Sequence, residues 1–577
     1  MSRTRNINNQ SKTAEYNYQG PGMFGISTLN ARQIFVIGFA VLLVIVFFIK
    51  LIFLQVIDAE DVKNAGFKTR DTTKTILAHR GTIYDRNGNI LAASVEVKSV
   101  YCDPKLVTDL QEEAECLVSV LGGEFTDYCE LMTIENSRYV CIARKISLED
   151  AQKLIDMSLD GFSYEDELER YYPYGQVGGQ IVGCLDSNGV GLTGLEAYYD
   201  EVLAGENGTK SYEYGVNGTA IPGTVYESKE AVDGKDIVVS LDIDMQAQLE
   251  ESLLDEYTRL EGDGASALLM DSSTGEILAM ASYPLFNPAD RSVVEEGSDQ
   301  VKCITQAFEP GSVFKTVSAL AILEEGTLTP EDEIECPTSL EADEYEVKDA
   351  HERSAVTYTF RDILKYSSNV GISLAVEDYL GFEKLYNKIT QYGLAEATGV
   401  DYPNESAGYL ADVSTWSKIQ SYNVTFGQGV MATPLQIARF YSAIDNDGIA
   451  VTPHFLISYP QDGTTPSYET TTISTDQEAL DTLKSMLVSV VEDGTGTSAA
   501  ISGYTIAGKT STAEIASDEG GYKEGVYNLA FCGFMPNSSS NLVCFVAVND
   551  TPYLSNVCAA YKDIMTFAID RYKISPE

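Results

Sequence analysis

Between Ile34 and Ile57 the chain carries a single charge, Lys50, in a run of about 24 residues. A helix of that length crosses the hydrocarbon core of a bilayer, and Lys50, near one end, can keep its ammonium at the interface. A cleaved export signal would have a shorter apolar core and a small-residue cleavage site. The run therefore predicts one transmembrane helix over 33–57. Arg3, Arg5, Lys12 and Arg32 precede it, and Asp58, Glu60 and Asp61 follow it. That asymmetry predicts a cytoplasmic N-terminus and a single-pass protein with its bulk outside the cell membrane. Residues 1–32, rich in Asn, Gln, Ser and Gly, read as a tail without a core.

The chain has 577 residues, enough for several domains, and 44% of them are hydrophobic. Its net charge of −47 lies beyond residue 50, since the first 50 residues are net basic. A polyanionic partner would be repelled, so nucleic acid is excluded. Ten cysteines are scattered, with no C-x-x-C pair. Spacing assigns no disulfide among them. Cys532 and Cys544 sit in apolar runs and read as buried thiols.

After the apolar run, Asn87-Gly88 between alternating apolar stretches predicts a hairpin turn. Gly191-Leu192-Thr193-Gly194-Leu195-Glu196 opens a helix expected to continue through Leu203. From Asp236 the pattern changes. A strand is expected over Ile237–Leu241, a helix from Asp244 to Leu260, and a hairpin around Ser273-Thr274-Gly275. Helical patterns fill residues 312–445, Gln461–Thr475 reads as a loop, and Asp476–Glu492 reads as a helix. Strands are expected over Tyr504–Glu514, Leu529–Met535 and Leu542–Asn549. Strands at both ends of a helical block predict an α+β domain with an antiparallel sheet.

Three short motifs occur in order: Ser312-Val313-Phe314-Lys315, Ser367-Ser368-Asn369 and Lys509-Thr510-Ser511-Thr512. Residues three apart share a helix face, so Ser312 and Lys315 point the same way. At a helix start, Ser312 gains from the positive end of the backbone dipoles. A buried Lys315 would lose its proton readily and serve as base. Ser367 can relay a proton between Lys315 and a leaving amine. Asn369 can bond a substrate amide or fix Lys315. Lys509 with Thr510, Ser511 and Thr512 can hold a substrate carboxylate, and the backbone N–H groups of Ser312 and Thr512 can form an oxyanion hole. Alone, each motif also fits a capped helix, a polar loop or an edge strand with a solvated lysine. Together, with only three histidines in the chain, they point to a serine acyl-transferase whose base is lysine.

At these residues the chain resembles the class B penicillin-binding proteins, the peptidoglycan D,D-transpeptidases. Further matching stretches are Arg80-Gly81-Thr82-Ile83-Tyr84-Asp85-Arg86-Asn87-Gly88, Gly191 to Glu196, Thr274 to Met280, and Phe426-Gly427-Gln428-Gly429 with Thr433-Pro434-Leu435-Gln436. The resemblance implies a penicillin-binding, β-lactamase-like transpeptidase domain over 241–577, carried on a dimerisation or pedestal domain over 58–240. It implies a serine acyl-enzyme at Ser312 that cross-links peptidoglycan stem peptides, with D-Ala-D-Ala carboxypeptidase activity as a side reaction. β-Lactams would be dead-end substrates, and no cofactor is needed. Implied partners are lipid-linked precursor, a SEDS-family glycosyltransferase and other membrane proteins of the divisome. Ser367-Ser368-Asn369-Val370-Gly371 is more similar to the septal, FtsI-like branch; a sporulation role is the alternative within the family.

The family usually has glycine where this chain has Ser511, which bears on β-lactam fit. A β-lactam sensor or serine β-lactamase would share the three motifs but would not need the Arg80 and Gly191 stretches. Glu383-Lys384-Leu385-Tyr386-Asn387 does not supply a second base of the Glu-x-x-Leu-Asn kind. A non-catalytic divisome scaffold would not need the full Ser312, Lys315, Ser367, Asn369 and Lys509 set. Cys336, Asp349 and His351 lie close in sequence and are the only weak candidates for a metal site, against an unrelated thiol and a surface pair. No metal is expected.

Overall fold

The computed structural model describes residues 30–53, 71–213, 227–516 and 522–576, apart from 537 and 539. It divides into two compact units. One holds residues up to Thr75 with Thr209–Lys229, and the other holds Ile76–Gly208 with Glu230–Glu577.

In the first unit, helix Ala31–Ile52 has 22 residues, none of them buried, and is long and apolar enough to cross a membrane. At 1.5 Å per residue it is ~33 Å long, against ~30 Å of hydrocarbon. Gln33 Oε1 accepts from the Asn30 N–H at its start (3.1 Å). The expected span began at residue 33 and ran to 57; residues 54–57, most of the tail, and Asp58, Glu60 and Asp61 lie outside the described residues. Strands Asp71–Ile76, Gly208–Glu213 and Glu227–Lys229 form a three-stranded sheet in that order.

The second unit contains two main sheets. One runs in the order 456–458, 237–239, 83–84, 90–102, 140–147, with 162–171 also paired to 90–102. The hairpin at Asn87-Gly88 forms as expected. Asp85 Oδ1 accepts the N–H groups of Asn87 and Asn89 (both 2.8 Å), and Gly88 has φ +85°. Gly81 is required by contact: a Cβ there would lie 2.0 Å from Lys235 O. The helix expected from Gly191 to Leu203 is two short ones, Gly194–Tyr198 and Asp200–Leu203. Tyr199 breaks it, leaving helical geometry at ψ 20°, and its hydroxyl donates to Asp401 Oδ2 (2.5 Å).

The two motifs of this region meet at Glu196. Its fully buried carboxylate accepts Arg80 Nε at Oε2 and Arg170 Nε at Oε1, both at 2.6 Å. Arg80 also donates to Asp200 Oδ1 (2.6 Å). Three charges buried together persist because each guanidinium meets its own oxygen of the Glu196 carboxylate.

The elements around the second sheet are, in chain order, α1 (Ile243–Leu260), β1 (Gly264–Asp271), β2 (Ile277–Ser282), α2 (Lys315–Glu324), α3 (Asn369–Tyr379), α4 (Pro434–Asp445), α5 (Gln477–Asp493), β3 (Ala507–Ala516), β4 (Tyr522–Phe534), β5 (Leu542–Thr551) and α6 (Cys558–Tyr572). The strand order is β2-β1-β5-β4-β3, every pair antiparallel. Successive side chains point to opposite faces, so the strands serve two cores. Leu269, Phe531, Cys544 and Val546 pack with α1 and α6. Leu268, Cys532, Val543 and Phe545 join the core that contains α2 and α4. The stretch expected to be a loop at 461–475 contains a short strand, Thr470–Thr472, paired with Ile449–Val451. All ten cysteines are free thiols.

Candidate active site

Helix α2 is buried all round from Lys315 to Leu323, the pattern of a central core helix. That burial decides the state of its first residue. Ahead of it, Gly311–Phe314 form a 3-10 turn rather than the first α-turn, with Ser312 just 9% exposed. Gly311 has φ +58°, and a Cβ on it would lie 2.5 Å from Ser511 Oγ and 2.7 Å from Ala513 Cβ. Its N–H donates to Gly427 O (2.9 Å). Glu309 accepts the N–H of Gly429 (2.6 Å). The Phe426–Gly429 stretch thus braces the turn from behind.

Lys315 Nζ has three partners: Ser312 Oγ at 2.9 Å, Ser367 O at 2.6 Å and Ser367 Oγ at 3.1 Å. Burial pushes its pKa well below the ordinary lysine value, and the like charge of Lys509 pushes the same way, against Asp349. A neutral amine has two N–H donors and one lone pair. With Ser367 O and Oγ taking the two donors, the lone pair is left for the Ser312 hydroxyl. Ser367 reaches Lys315 twice because its backbone is left-handed, φ +60°.

Ser368 caps α3, accepting the Gly371 N–H (2.9 Å) and donating to Asp349 Oδ2 (2.9 Å). Asp349 also accepts Val370 N (3.0 Å) and Arg353 Nε (2.5 Å). Asn369 Nδ2 donates to Lys348 O (2.9 Å). It does not fix Lys315, whose partners come from Ser312 and Ser367.

Strand β3 is the edge of its sheet, as one reading of the third motif had it, but Lys509 is not solvated. It is fully buried, donates to Thr510 O (3.0 Å), and burial brings its pKa down to about 7. Thr510 Oγ1 shares a hydrogen bond with Thr495 Oγ1 (2.6 Å). Ser511 Oγ donates to Pro310 O (2.8 Å). Ser312, Asn369 and Thr512 line one cleft of about 640 Å³, with Tyr345, Glu514 and Leu554. Asp349 lines it too. Of the weak metal candidates, Cys336 is buried with its Sγ donating to Ile334 O (3.5 Å), His351 is exposed, and Asp349 is committed as described. Among the described residues no group of three His, Cys, Asp or Glu side chains is arranged to hold a metal.

The arrangement is a serine beside a buried lysine at the mouth of a cleft, with a second lysine of lowered pKa and an edge strand alongside. The sequence model of the penicillin-binding protein transpeptidase domain matches residues 265–566, more than half of the chain. The chain belongs to the penicillin-binding protein transpeptidase family. It is a peptidoglycan D,D-transpeptidase, an enzyme. The penicillin-binding protein dimerisation domain matches residues 75–239. Penicillin-binding protein PbpB of Mycobacterium tuberculosis is 32% identical over 84% of this chain and 76% of its own. Stage V sporulation protein D of Bacillus subtilis is 29% identical over 91% of this chain and 82% of its own. The crystal structure of penicillin-binding protein 3 from M. tuberculosis complexed with aztreonam superposes with TM-score 0.68 and 26% identity, covering 87% of this chain and 98% of that one.

Proposed function

We propose that Ser312 is the nucleophile and Lys315 its base. The observation that carries this is the 2.9 Å contact between Ser312 Oγ and a fully buried Lys315 Nζ. Lys315, held neutral, takes the Ser312 proton as Oγ attacks the carbonyl carbon of the penultimate D-alanine of a donor stem peptide. The carbonyl electron pair moves onto oxygen, facing the N–H groups of Ser312 and Thr512. On collapse the C–N bond breaks. The departing D-alanine amine takes a proton from the Ser367 hydroxyl, which is refilled from Lys315. An acceptor amine then attacks the ester, loses its proton along the same path and releases Ser312 Oγ–H. Asn369 orients the donor amide. Of the third motif, Thr512 lines the wall that receives the donor carboxylate, with Lys509, Thr510 and Ser511 buried behind it. A β-lactam acylates Ser312 likewise, but its leaving nitrogen stays tethered, which obstructs release.

The same reading assigns 1–32 to a cytoplasmic tail, 33–57 to the membrane span, 58–240 to the pedestal and 241–577 to the catalytic domain, which lies outside the membrane. It places the enzyme in septal wall synthesis with a SEDS-family glycosyltransferase as partner. The sporulation-stage relative supplies the second reading. Intact-protein mass after incubation with benzylpenicillin tests the chemistry. One drug mass on the parent and none on Ser312→Ala is expected. Rapid drug loss without an adduct would mean a hydrolase, and neither adduct nor loss would mean a scaffold or a site altered by Ser511. A fluorescent fusion found at mid-cell in growing cells fits the septal role; one confined to the developing spore refutes it.

A further inference from the structure

Strand β3 is held to its sheet on one side only, by β4. On its free side the gap to the Ser312 turn is spanned, among the described residues, by the hydrogen bond from Ser511 Oγ–H to Pro310 O at 2.8 Å, with Ser511 2% exposed. The Pro310–Gly311 peptide is thereby clamped at both ends, because its N–H donates to Gly427 O at 2.9 Å. The other end of the turn is held as well, since Tyr441 OH donates to Val313 O (2.9 Å). Gly311 presses against Ser511 and Ala513 with no room for a Cβ, so strand and turn cannot close further. The hydroxyl keeps them from opening.

We infer that Ser511 is a positioning residue that fixes the separation of the Ser312 and Thr512 N–H groups, the two donors to the reacting carbonyl oxygen. Thr512 is the neighbour of Ser511 in the strand, and Ser312 lies two residues past Pro310. A bond between those flanking residues sets the donor spacing more directly than any contact to the substrate. This rests on the proposed oxyanion role of Ser312 and Thr512. Donor placement acts on the transition state, where charge sits on oxygen, and hardly on the ground state. Loss of the hydroxyl therefore slows acylation without weakening the preceding complex.

The test uses the full chain in detergent micelles, with Ser511→Ala, Ser511→Gly and Ser312→Ala. Acylation by benzylpenicillin is followed over a range of drug concentrations, which separates the maximal acylation rate from the half-saturating concentration. Both Ser511 variants are expected to lose about tenfold in the maximal rate, with half-saturation within about twofold of the parent. Thermal unfolding, run in parallel, confirms that they are folded. Parent-like maximal rates in both variants, or a loss confined to half-saturation, would overturn the positioning role while leaving Ser312 as nucleophile. Failure of the parent itself to form an adduct that Ser312→Ala lacks would overturn the nucleophile reading and this inference with it.

Discussion

Replacing Glu196 by alanine should be among the most destabilising single changes outside the cleft. The side chains of Arg80 and Arg170 are 6% and 5% exposed, and that of Glu196 is at 0%. Without the carboxylate, Arg80 keeps Asp200, but Arg170 keeps only the Arg80 carbonyl (3.3 Å) and Ser94 Oγ (3.4 Å), at long range. One guanidinium is then buried without an anion, and breaking a buried pair this way costs about 3–5 kcal/mol. That is a large part of the ~5–15 kcal/mol that holds a typical domain together. Asp200 gives the internal control. It is 28% exposed and, besides accepting the Gly191 N–H (2.8 Å), meets only the Arg80 guanidinium, which would retain Glu196. Asp200→Ala should cost about 1–2 kcal/mol. Urea unfolding followed by far-ultraviolet circular dichroism measures both, and penicillin acylation under native conditions should stay within about twofold of the parent. The reasoning is refuted if Glu196→Ala matches the parent in midpoint, or if Asp200→Ala is the worse of the two.

Acylation should depend on pH through Lys315. Burial and Lys509 lower its pKa, so the rate should rise with pH and level off well below the usual lysine range; a profile still rising at pH 10 would contradict a neutral resting amine. Lys509→Met should abolish acylation yet raise stability at neutral pH by about 4 kcal/mol, because a lysine whose folded pKa is lowered to about 7 destabilises the fold below its unfolded pKa near 10.4, and stability is regained as pH climbs from about 7 toward that value; equal urea midpoints at pH 7 would count against this. Asp349→Asn removes the anion that meets Ser368, Val370 N and Arg353; about a tenfold loss of acylation rate is expected, and a parent-like rate would show that the second motif holds its place without it. Gly311→Ala should give no penicillin adduct, since its Cβ would meet Ser511 and Ala513 at a positive φ, and a normal adduct mass would refute the tight turn.

The three motifs were legible because each is local: Ser312 and Lys315 share a face by spacing, and the serine-asparagine and lysine motifs carry their chemistry in adjacent letters. What they touch was not legible. Asn369 was open between a substrate amide and Lys315, and the bond to Lys348 O decides against the lysine. Asp349 was weighed as a metal ligand, because sequence distance does not reveal that it closes on Ser368 and Arg353. Arg80 and Glu196 were singled out separately, 116 positions apart, and no periodicity links them. The helix expected through Leu203 failed at Tyr199, where the bond to Asp401 wins over a helical propensity that is weak in any case. An edge strand for the third motif was foreseen as one option, but its solvated lysine was not borne out, because whether a lysine is wet depends on what packs across from it.

The burial of Lys315 and Lys509 is the feature that joins fold to chemistry. Two ammonium groups in one dry region repel each other, and the fold offers Asp349 as the nearby counter-charge acting on Lys315. The least costly state is one in which Lys315 gives up its proton. The burial of α2 on every side favours that state before substrate arrives, and the left-handed Ser367 accepts both N–H bonds of the resulting amine. A solvated lysine could make the same contact to Ser312, but it would hold its proton at neutral pH and act as a hydrogen-bond donor instead of a base. On the proposed roles of Ser312 and Lys315, the stability lost by burying the two lysines is inseparable from reactivity, and any substitution that relieves it should stabilise the protein and silence it together.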